Sequence, residues 1–134
     1  MKICFFHTNF DRDVSSGTSH SLSQWNELLM AFNIKEIAII NETNDEINSI
    51  SSNITVKEYN SFNEFINNNE KFIFVEQNGK ENYREHKYKK GFWYIFGSYK
   101  TLPKADINIE TNGVALYCRE AAAIILAEAS WQLH

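Results

Sequence analysis

The chain has 134 residues, a length at which one domain can bury a substantial core, since chains of this size bury about two thirds of the surface they expose when unfolded. Its 43% hydrophobic and 14% aromatic residues exclude an intrinsically disordered protein, and its formal net charge of −4 excludes a general electrostatic attraction to nucleic acid. Contact with a nucleic acid therefore requires a local basic patch.

The cysteines and the first residues of the chain indicate where the protein works. Cys4 lies in an apolar run and Cys118 in a helical pattern, and neither has the spacing of metal ligands or of a redox pair. The apolar run at the start is too short for a signal peptide, and no stretch approaches the ~20 apolar residues that a membrane span needs. We expect buried thiols, no metal site, no membrane contact and a cytoplasmic location.

The first part of the chain predicts alternating strands and helices. Lys2 to Phe6 is an apolar run typical of a strand buried on both faces of a parallel sheet, and a polar loop follows it. Ser21 and Gln24 have the spacing of a helix capping box, after which apolar residues recur at helical spacing. Glu36 to Ile40 is the next predicted strand, which completes a βαβ unit.

The middle of the chain is acidic and rich in asparagine, and we interpret it as a solvated scaffold face. Ile54 to Tyr59 alternates as a strand does, and Ser61 with Glu64 predicts a second capping box at the start of a short helix. Lys71 to Val75 is another buried strand. The pair Asn78-Gly79 then marks a turn.

The segment from Lys80 to Lys90, KENYREHKYKK, is basic and includes Tyr83 and Tyr88. From His86 to Ala105 there are five lysines and no acidic residue. Cations mixed with aromatic rings are typical of a face that contacts phosphates and stacks on bases. An ordinary charged surface loop is the alternative interpretation. The candidate RNA-binding residues are Lys87, Lys89, Lys90 and Lys100.

The C-terminal part predicts a strand, a loop, a second strand and a closing helix. Phe92 to Phe96 is an apolar run that ends at Gly97, and the loop after it closes on Leu102-Pro103. A short strand follows at Ile107 to Ile109. The alanine-rich helix from Ala115 to Leu133 carries few charges, so it needs cover on more than one side.

These C-terminal motifs resemble those of the SPOUT-class (SpoU-type) RNA methyltransferases. In that family a strand is followed by Gly-x-Glu-x-x-Gly-Leu-Pro, by Ile-x-Ile-Pro, and by a Leu/Met-Asn-x-Ser segment that opens an alanine-rich helix. This chain has FGSYKTLP from Phe96, INIE from Ile107, ALYCR from Ala115 and LAEA from Leu126. The resemblance covers most of the chain. It implies one α/β domain, residues 1–134, with a mostly parallel sheet, helices on both faces and a C-terminal trefoil knot.

The resemblance also implies a cofactor and a partner. S-adenosyl-L-methionine would bind in the knot, largely through backbone groups, and the contacts carried over by position are Val75, Glu76, Gly97, Ser98, Leu102, Pro103, Ile109, Ala115, Leu116 and Cys118. The side chains of Leu102, Ile109 and Leu116 would form an apolar slot for adenine. Family members dimerise through the last helix, so we expect a homodimer in which Trp131 is an anchor.

Several polar residues of the family motifs are changed. Tyr99 to Thr101 replace a glutamate and a glycine, and the arginine of the first motif, thought to position or activate the ribose hydroxyl, has no clear equivalent. Arg12, in the loop after the first strand, and Arg119, at the head of the last helix, are the candidate catalytic replacements; the alternative is that they are surface cations. His7 and His20 lie near the same loops, but a lone histidine is more often structural.

The resemblance leads us to expect an S-adenosylmethionine-dependent enzyme that methylates RNA at a tRNA ribose 2′-hydroxyl. The missing arginine leaves open a catalytically lapsed relative that binds RNA or the cofactor without methyl transfer. A third interpretation is an unrelated flavodoxin-like α/β binding protein.

Overall fold

A computed structural model describes residues 1–8, 21–76, 79–97, 102–109, 111–112, 116 and 118–133. The seven strands in these ranges form one sheet, and every neighbouring pair in it is parallel. They are β1 (Lys2–His7), β2 (Glu36–Asn41), β3 (Thr55–Tyr59), β4 (Phe72–Glu76), β5 (Glu81–Asn82), β6 (Trp93–Phe96) and β7 (Ile107–Asn108). Their order across the sheet is β3-β2-β1-β6-β4-β7-β5, which confirms the predicted α/β class and parallel sheet.

The same ranges contain three helices: α1 (Leu22–Ala31), α2 (Phe62–Asn68) and α3 (Cys118–Gln132). The predicted capping box opens α1, because the backbone N–H of Gln24 donates to Ser21 Oγ and the backbone N–H of Ser21 donates to Gln24 Oε1. Ser61 caps α2 through the N–H of Glu64 at 3.1 Å. The Glu64 carboxylate accepts from Asn60 instead of Ser61, so only half of the second predicted box forms.

Helices cover both faces of the sheet, as expected. On one face α1 and α3 pack on alternate strand residues such as Phe5, whose ring stacks on that of Trp25 with 4.1 Å between centroids. On the other face α2 inserts Phe65, which meets the ring of Trp93 edge-on at 5.4 Å. Because both sides of each central strand are buried, those strands are continuous apolar runs in the sequence. None of the helices in the described ranges is long and apolar enough to cross a membrane.

A parallel sheet has two chemically different edges. The carboxyl edge, as we name it, is formed by the residues at and after the ends of β1, β2, β4, β6 and β7. The amino edge is formed by the residues that precede the strands, where the N–H of Trp93 bonds to the carbonyl oxygen of Lys71 at 2.8 Å. Open α/β sheets bind ligands at the carboxyl edge.

Candidate functional site

The predicted cofactor contacts that the structure describes gather at the carboxyl edge. Val75, near the end of β4, pairs with Phe96 on one side and with Ile107 on the other. Gly97, which follows β6, therefore lies one residue beyond the level of Val75 in the sheet. Ile109, which follows β7, lies two residues beyond that level. Three neighbouring strands thus bring these segments together, although the segments are far apart in the sequence.

Glu76 holds Leu102, which lies beyond the end of β6. Its carboxylate accepts a hydrogen bond from the backbone N–H of Leu102 at 3.3 Å. The side chain of Leu102 is buried in the core on the α2 face, and Pro103 beside it is exposed. Ile109 and Leu116 pack in the other core, on the α1 and α3 face, so the three side chains expected to share one slot lie in different clusters.

The start of α3 is tied to the end of β6. The thiol of Cys118 donates a hydrogen bond to the carbonyl oxygen of Gly97. Cys118 is half-buried, and Leu116 just before it is also half-buried. The structure therefore brings Gly97, Leu116 and Cys118 to one place, as the motif positions imply.

Asn108, which the sequence analysis did not select, gives this edge a polar group suited to a ligand. It pairs with Glu76 across the sheet, and its Oδ1 is buried without a hydrogen-bond partner among the described residues. An unmet buried acceptor costs about 1–3 kcal/mol, and an N–H group of a bound ligand would remove that cost. The available signal was a polar residue between two isoleucines in INIE.

Arg119 lies in the first turn of α3, and its Nε donates to the carbonyl oxygen of Gln24 in α1 at 2.8 Å. This bond uses one of the five N–H donors of a guanidinium, so the rest of the group can still contact a ligand. Arg12, the other candidate catalytic residue, lies outside the described residues, as do Ser98, Lys100 and Ala115.

A polar cluster is buried where β1 and β2 end. His7 and Asn41 pair across the two strands, and each is 7% exposed. His7 Nε2 lies 3.2 Å from a carboxylate oxygen of Asp45, a residue that the sequence analysis did not select. No group of three or more His, Cys, Asp or Glu side chains in the described ranges is arranged to hold a metal ion.

Three of the four predicted RNA-binding lysines lie toward the amino edge, and the fourth, Lys100, lies outside the described residues. Lys89 and Lys90 come just before β6, at the amino edge, and with Lys87 they are exposed. Burial, followed by the charges of Lys90 and Lys2, lowers the pKa of the Met1 amino group, so Lys90 and Lys2 both lie near Met1. The length of β6 separates these lysines from Gly97.

The interpretation of Lys80 to Lys90 as a phosphate-contacting face with stacking aromatic rings is wrong for Tyr88. Tyr88 is buried, its hydroxyl donates to the carbonyl oxygen of Tyr83, and its N–H donates to Gln132 of α3. Burial also raises the pKa of Tyr88, and it raises the pKa of Tyr94 beneath it to about 12. The local charge pattern hides this packing because the tyrosine lies between exposed lysines.

Comparison with known proteins identifies the architecture. No protein-family model matches the sequence, and no curated protein does. Solved structures do match. A protein studied for the 2-OH methylation of C/U34 on tRNA is 15% identical with a TM-score of 0.71, over 98% of this chain and 89% of the other.

Two further structures have the same arrangement. The SpoU methyltransferase AviRb from Streptomyces viridochromogenes, in complex with the cofactor AdoMet, is 13% identical with a TM-score of 0.71, over 99% of this chain and 57% of the other. The TrmH/SpoU tRNA modifying enzyme from A. aeolicus is 16% identical with a TM-score of 0.64, over 97% and 73%. The chain therefore has the fold of the SpoU-type RNA methyltransferases.

Proposed function

We propose that the protein is an S-adenosylmethionine-dependent RNA methyltransferase that methylates a tRNA ribose 2′-hydroxyl. The observation that carries this proposal is the meeting of Val75, Gly97, Ile109 and Cys118 at the carboxyl edge of a SpoU-type fold. Among the structures with this fold, one is a complex with the cofactor AdoMet. Another comes from work on the 2-OH methylation of tRNA.

The residues at the carboxyl edge fit the cofactor. The cofactor supplies a methyl group on a sulfonium, which becomes a neutral thioether when the C–S bond breaks. The proposed contacts are Val75, Glu76, Gly97, Ser98, Leu102, Pro103, Ile109, Ala115, Leu116 and Cys118. Asn108 is added to them, because its buried Oδ1 has no partner among the described residues and can accept an N–H from the cofactor. Arg12 and Arg119 remain the proposed cationic residues near the acceptor nucleotide.

The lysines at the amino edge support RNA as the substrate. We propose that Lys87, Lys89 and Lys90, with Lys100, hold phosphates of the RNA. Lys87, Lys89 and Lys90 hold a part of the RNA that lies away from the methylated nucleotide, because the length of β6 separates Lys90 from Gly97. A folded tRNA is large enough to reach both edges. These contacts give affinity without reading sequence.

The surface of α3 supports a homodimer. Trp131 is 81% exposed and Met30 is 47% exposed, although both are large and apolar. The ends of α1 and α3 also line an open cavity of about 130 Å³ that includes Phe32, Leu126 and Leu133. A second copy would cover this surface.

The likeness of the fold to SpoU-type structures supports the trefoil knot of the family in the C-terminal part of the chain. The proposed site of action is the cytoplasm, where tRNA and the cofactor occur together.

Calorimetric titration with S-adenosylhomocysteine tests the proposed function. We expect binding in the micromolar range, at about −8 kcal/mol, and its loss in Gly97→Val, where a branched side chain enters the space at the end of β6. Gly91→Ala is the control, since Gly91 lies at the amino edge with a positive φ of 82° and no atom within 4 Å of an added Cβ. Equal affinity in Gly97→Val would contradict the site. Binding without methyl transfer to tRNA would support the lapsed relative instead.

A further inference from the structure

We propose that His7 accepts the proton of the ribose hydroxyl and that Asp45 is the residue that positions it, an inference that rests on the proposed function. Methylation replaces an O–H bond of the ribose by an O–C bond, so one proton has to leave the oxygen. The arginine of the family's first motif has no clear equivalent in this sequence. The described carboxyl edge contains a side chain of another kind that can take this proton.

His7 lies next to the proposed cofactor site. It ends β1, the strand between β2 and β6. Because Cys4 pairs with Ile95, His7 lies one residue beyond the level of Gly97 on the neighbouring strand. Adjacent strands are about 4.8 Å apart. Side chains alternate along a strand, so His7 is on the same face as Phe5, where α1 and α3 pack.

Asp45 determines which nitrogen of the His7 ring can accept a proton. A carboxylate oxygen lies 3.2 Å from Nε2 and accepts its N–H, which leaves the lone pair on Nδ1. No described residue makes a hydrogen bond to Nδ1. Among the described residues, therefore, one nitrogen of the imidazole is held by Asp45 and the other has no partner that competes with a substrate hydroxyl.

The loop after β2 holds Asp45 in place. The backbone N–H of Asp45 donates to Thr43 Oγ1, and its carbonyl oxygen accepts from Asn41 Nδ2, each at 2.9 Å. The hydroxyl of Thr43 donates to Asn41 Oδ1 at 2.6 Å. This connected set of hydrogen bonds restricts the position of Asp45, as the partners that orient catalytic histidines do elsewhere.

Two further acidic residues belong to the same group of strand ends. Besides Asp45, Glu42 follows β2 and its N–H donates to the carbonyl oxygen of His7 at 2.8 Å. On β3, Glu58 accepts from Asn41 at 2.9 Å. The carboxylate of Asp45, 3.2 Å from Nε2, stabilises the imidazolium that forms when the hydroxyl proton moves to Nδ1.

His86 provides a contrast within the same chain. Its Nδ1 lies 2.7 Å from Glu81 Oε1, and its Nε2 lies 2.9 Å from the hydroxyl of Tyr94. Both nitrogens of the His86 ring are hydrogen-bonded and the ring is buried, so the pair of His86 and Glu81 holds the segment before β6 in place. The carboxylate of Glu81 is therefore a matched control for that of Asp45.

The experiment compares His7→Asn and Asp45→Asn with Glu81→Gln. S-adenosylhomocysteine affinity, measured by calorimetry, reports whether each variant keeps a folded site. Methyl transfer from S-adenosylmethionine to tRNA gives the rate. Nitrogen-15 NMR of the unligated, imidazole-labelled protein gives the tautomer of His7.

We expect His7→Asn to lose about 100-fold or more in rate, the usual contribution of a general base, with unchanged affinity for S-adenosylhomocysteine. Asp45→Asn should lose about tenfold, the lower range for a residue that orients another, and should shift the His7 tautomer. Glu81→Gln should keep both the rate and that tautomer.

His7→Asn with the full rate overturns the role of His7 and leaves the proposed function in place. An unaltered protein in which His7 carries its proton on Nδ1 also overturns it, and this result needs no folded variant. An unaltered protein that transfers no methyl group to tRNA overturns both.

Discussion

Gly79, in the segment between β4 and β5, lets that segment approach β7 closely. A Cβ at this position would lie 2.1 Å from the carbonyl carbon and oxygen of Ile107, and these are backbone atoms that cannot rotate away. We expect Gly79→Ala to destabilise the protein by roughly 1–3 kcal/mol, as overpacking does. It should also weaken S-adenosylhomocysteine binding, because β7 carries Asn108 and leads to Ile109. Urea unfolding and calorimetry measure the two effects.

The control for this prediction is Gly91→Ala. Its added Cβ meets no atom within 4 Å, but the φ of 82° strains any residue with a side chain, so stability should fall by about 1 kcal/mol. Its S-adenosylhomocysteine affinity should not change, because Gly91 lies at the amino edge. Equal affinities in Gly79→Ala and the unaltered protein would contradict the proposed dependence of the site on this packing.

Individual residues of the site differ in how well the sequence predicts them. The grouping of Gly97 with Cys118 follows from motif order. The pairing of His7 with Asp45, which are 38 residues apart, depends on β1 and β2 being neighbours and leaves no local signal. Asn108 was missed because one polar residue in a short strand usually faces solvent, whereas here its Oδ1 is buried.

At the scale of elements, local patterns predicted most of the structure. Capping residues located the starts of α1 and α2, and apolar runs located the central strands, because these signals act within a few residues. β5 was not predicted, since its two residues have no periodicity and lie within a basic segment. It forms because β4 pairs with only one side of β7, which leaves the backbone groups on the other side for β5.

The exposed surface of α3 leads to a prediction about assembly. We expect a symmetric dimer at micromolar concentration, and we expect Trp131→Glu to weaken it by about 30-fold, or ~2 kcal/mol, the effect typical of an interface anchor. A charge at Trp131 would be desolvated by the partner copy. Sedimentation over a range of concentrations measures the dissociation constant.

Asn68→Glu is the matched control for the dimer, because it adds the same charge to an exposed position on α2, a helix that we do not place in the interface. It should leave the dissociation constant unchanged. A monomeric unaltered protein, or equal effects of the two substitutions, would contradict an interface through α3.

At the scale of the whole molecule, the strand order required more than local patterns. Periodicity predicts strands and helices but not that β6 lies between β1 and β4, because many orders satisfy the same apolar runs. The resemblance of the C-terminal motifs implied a mostly parallel sheet with helices on both faces, but it did not give the order of the strands. The consequence for function is a separation: the proposed cofactor site is at the carboxyl edge, and Lys89 and Lys90 are at the amino edge.

This separation makes RNA binding and cofactor binding independently testable. Each phosphate that a lysine neutralises releases counterions, so the slope of log affinity against log salt is about −0.7 to −0.9 per contact. Reversing Lys87, Lys89 and Lys90 to Glu should reduce the slope for tRNA by about two units or more, if all three contact phosphates. S-adenosylhomocysteine affinity should stay the same, because none of these lysines lies near Gly97.

The control for the lysines is Lys35→Glu, which is the same charge reversal at an exposed position before β2. Its effect is compared with those of the single reversals of Lys87, Lys89 and Lys90. A general effect of net charge would reduce the salt slope equally in all four single variants, whereas a defined RNA face reduces it only for the lysines of that face. An unchanged slope in the triple variant would mean that these lysines are only solvated surface. Since β6 fixes the distance between the two edges, a reduced slope with intact cofactor binding would require the RNA to extend along the protein from one edge toward the other.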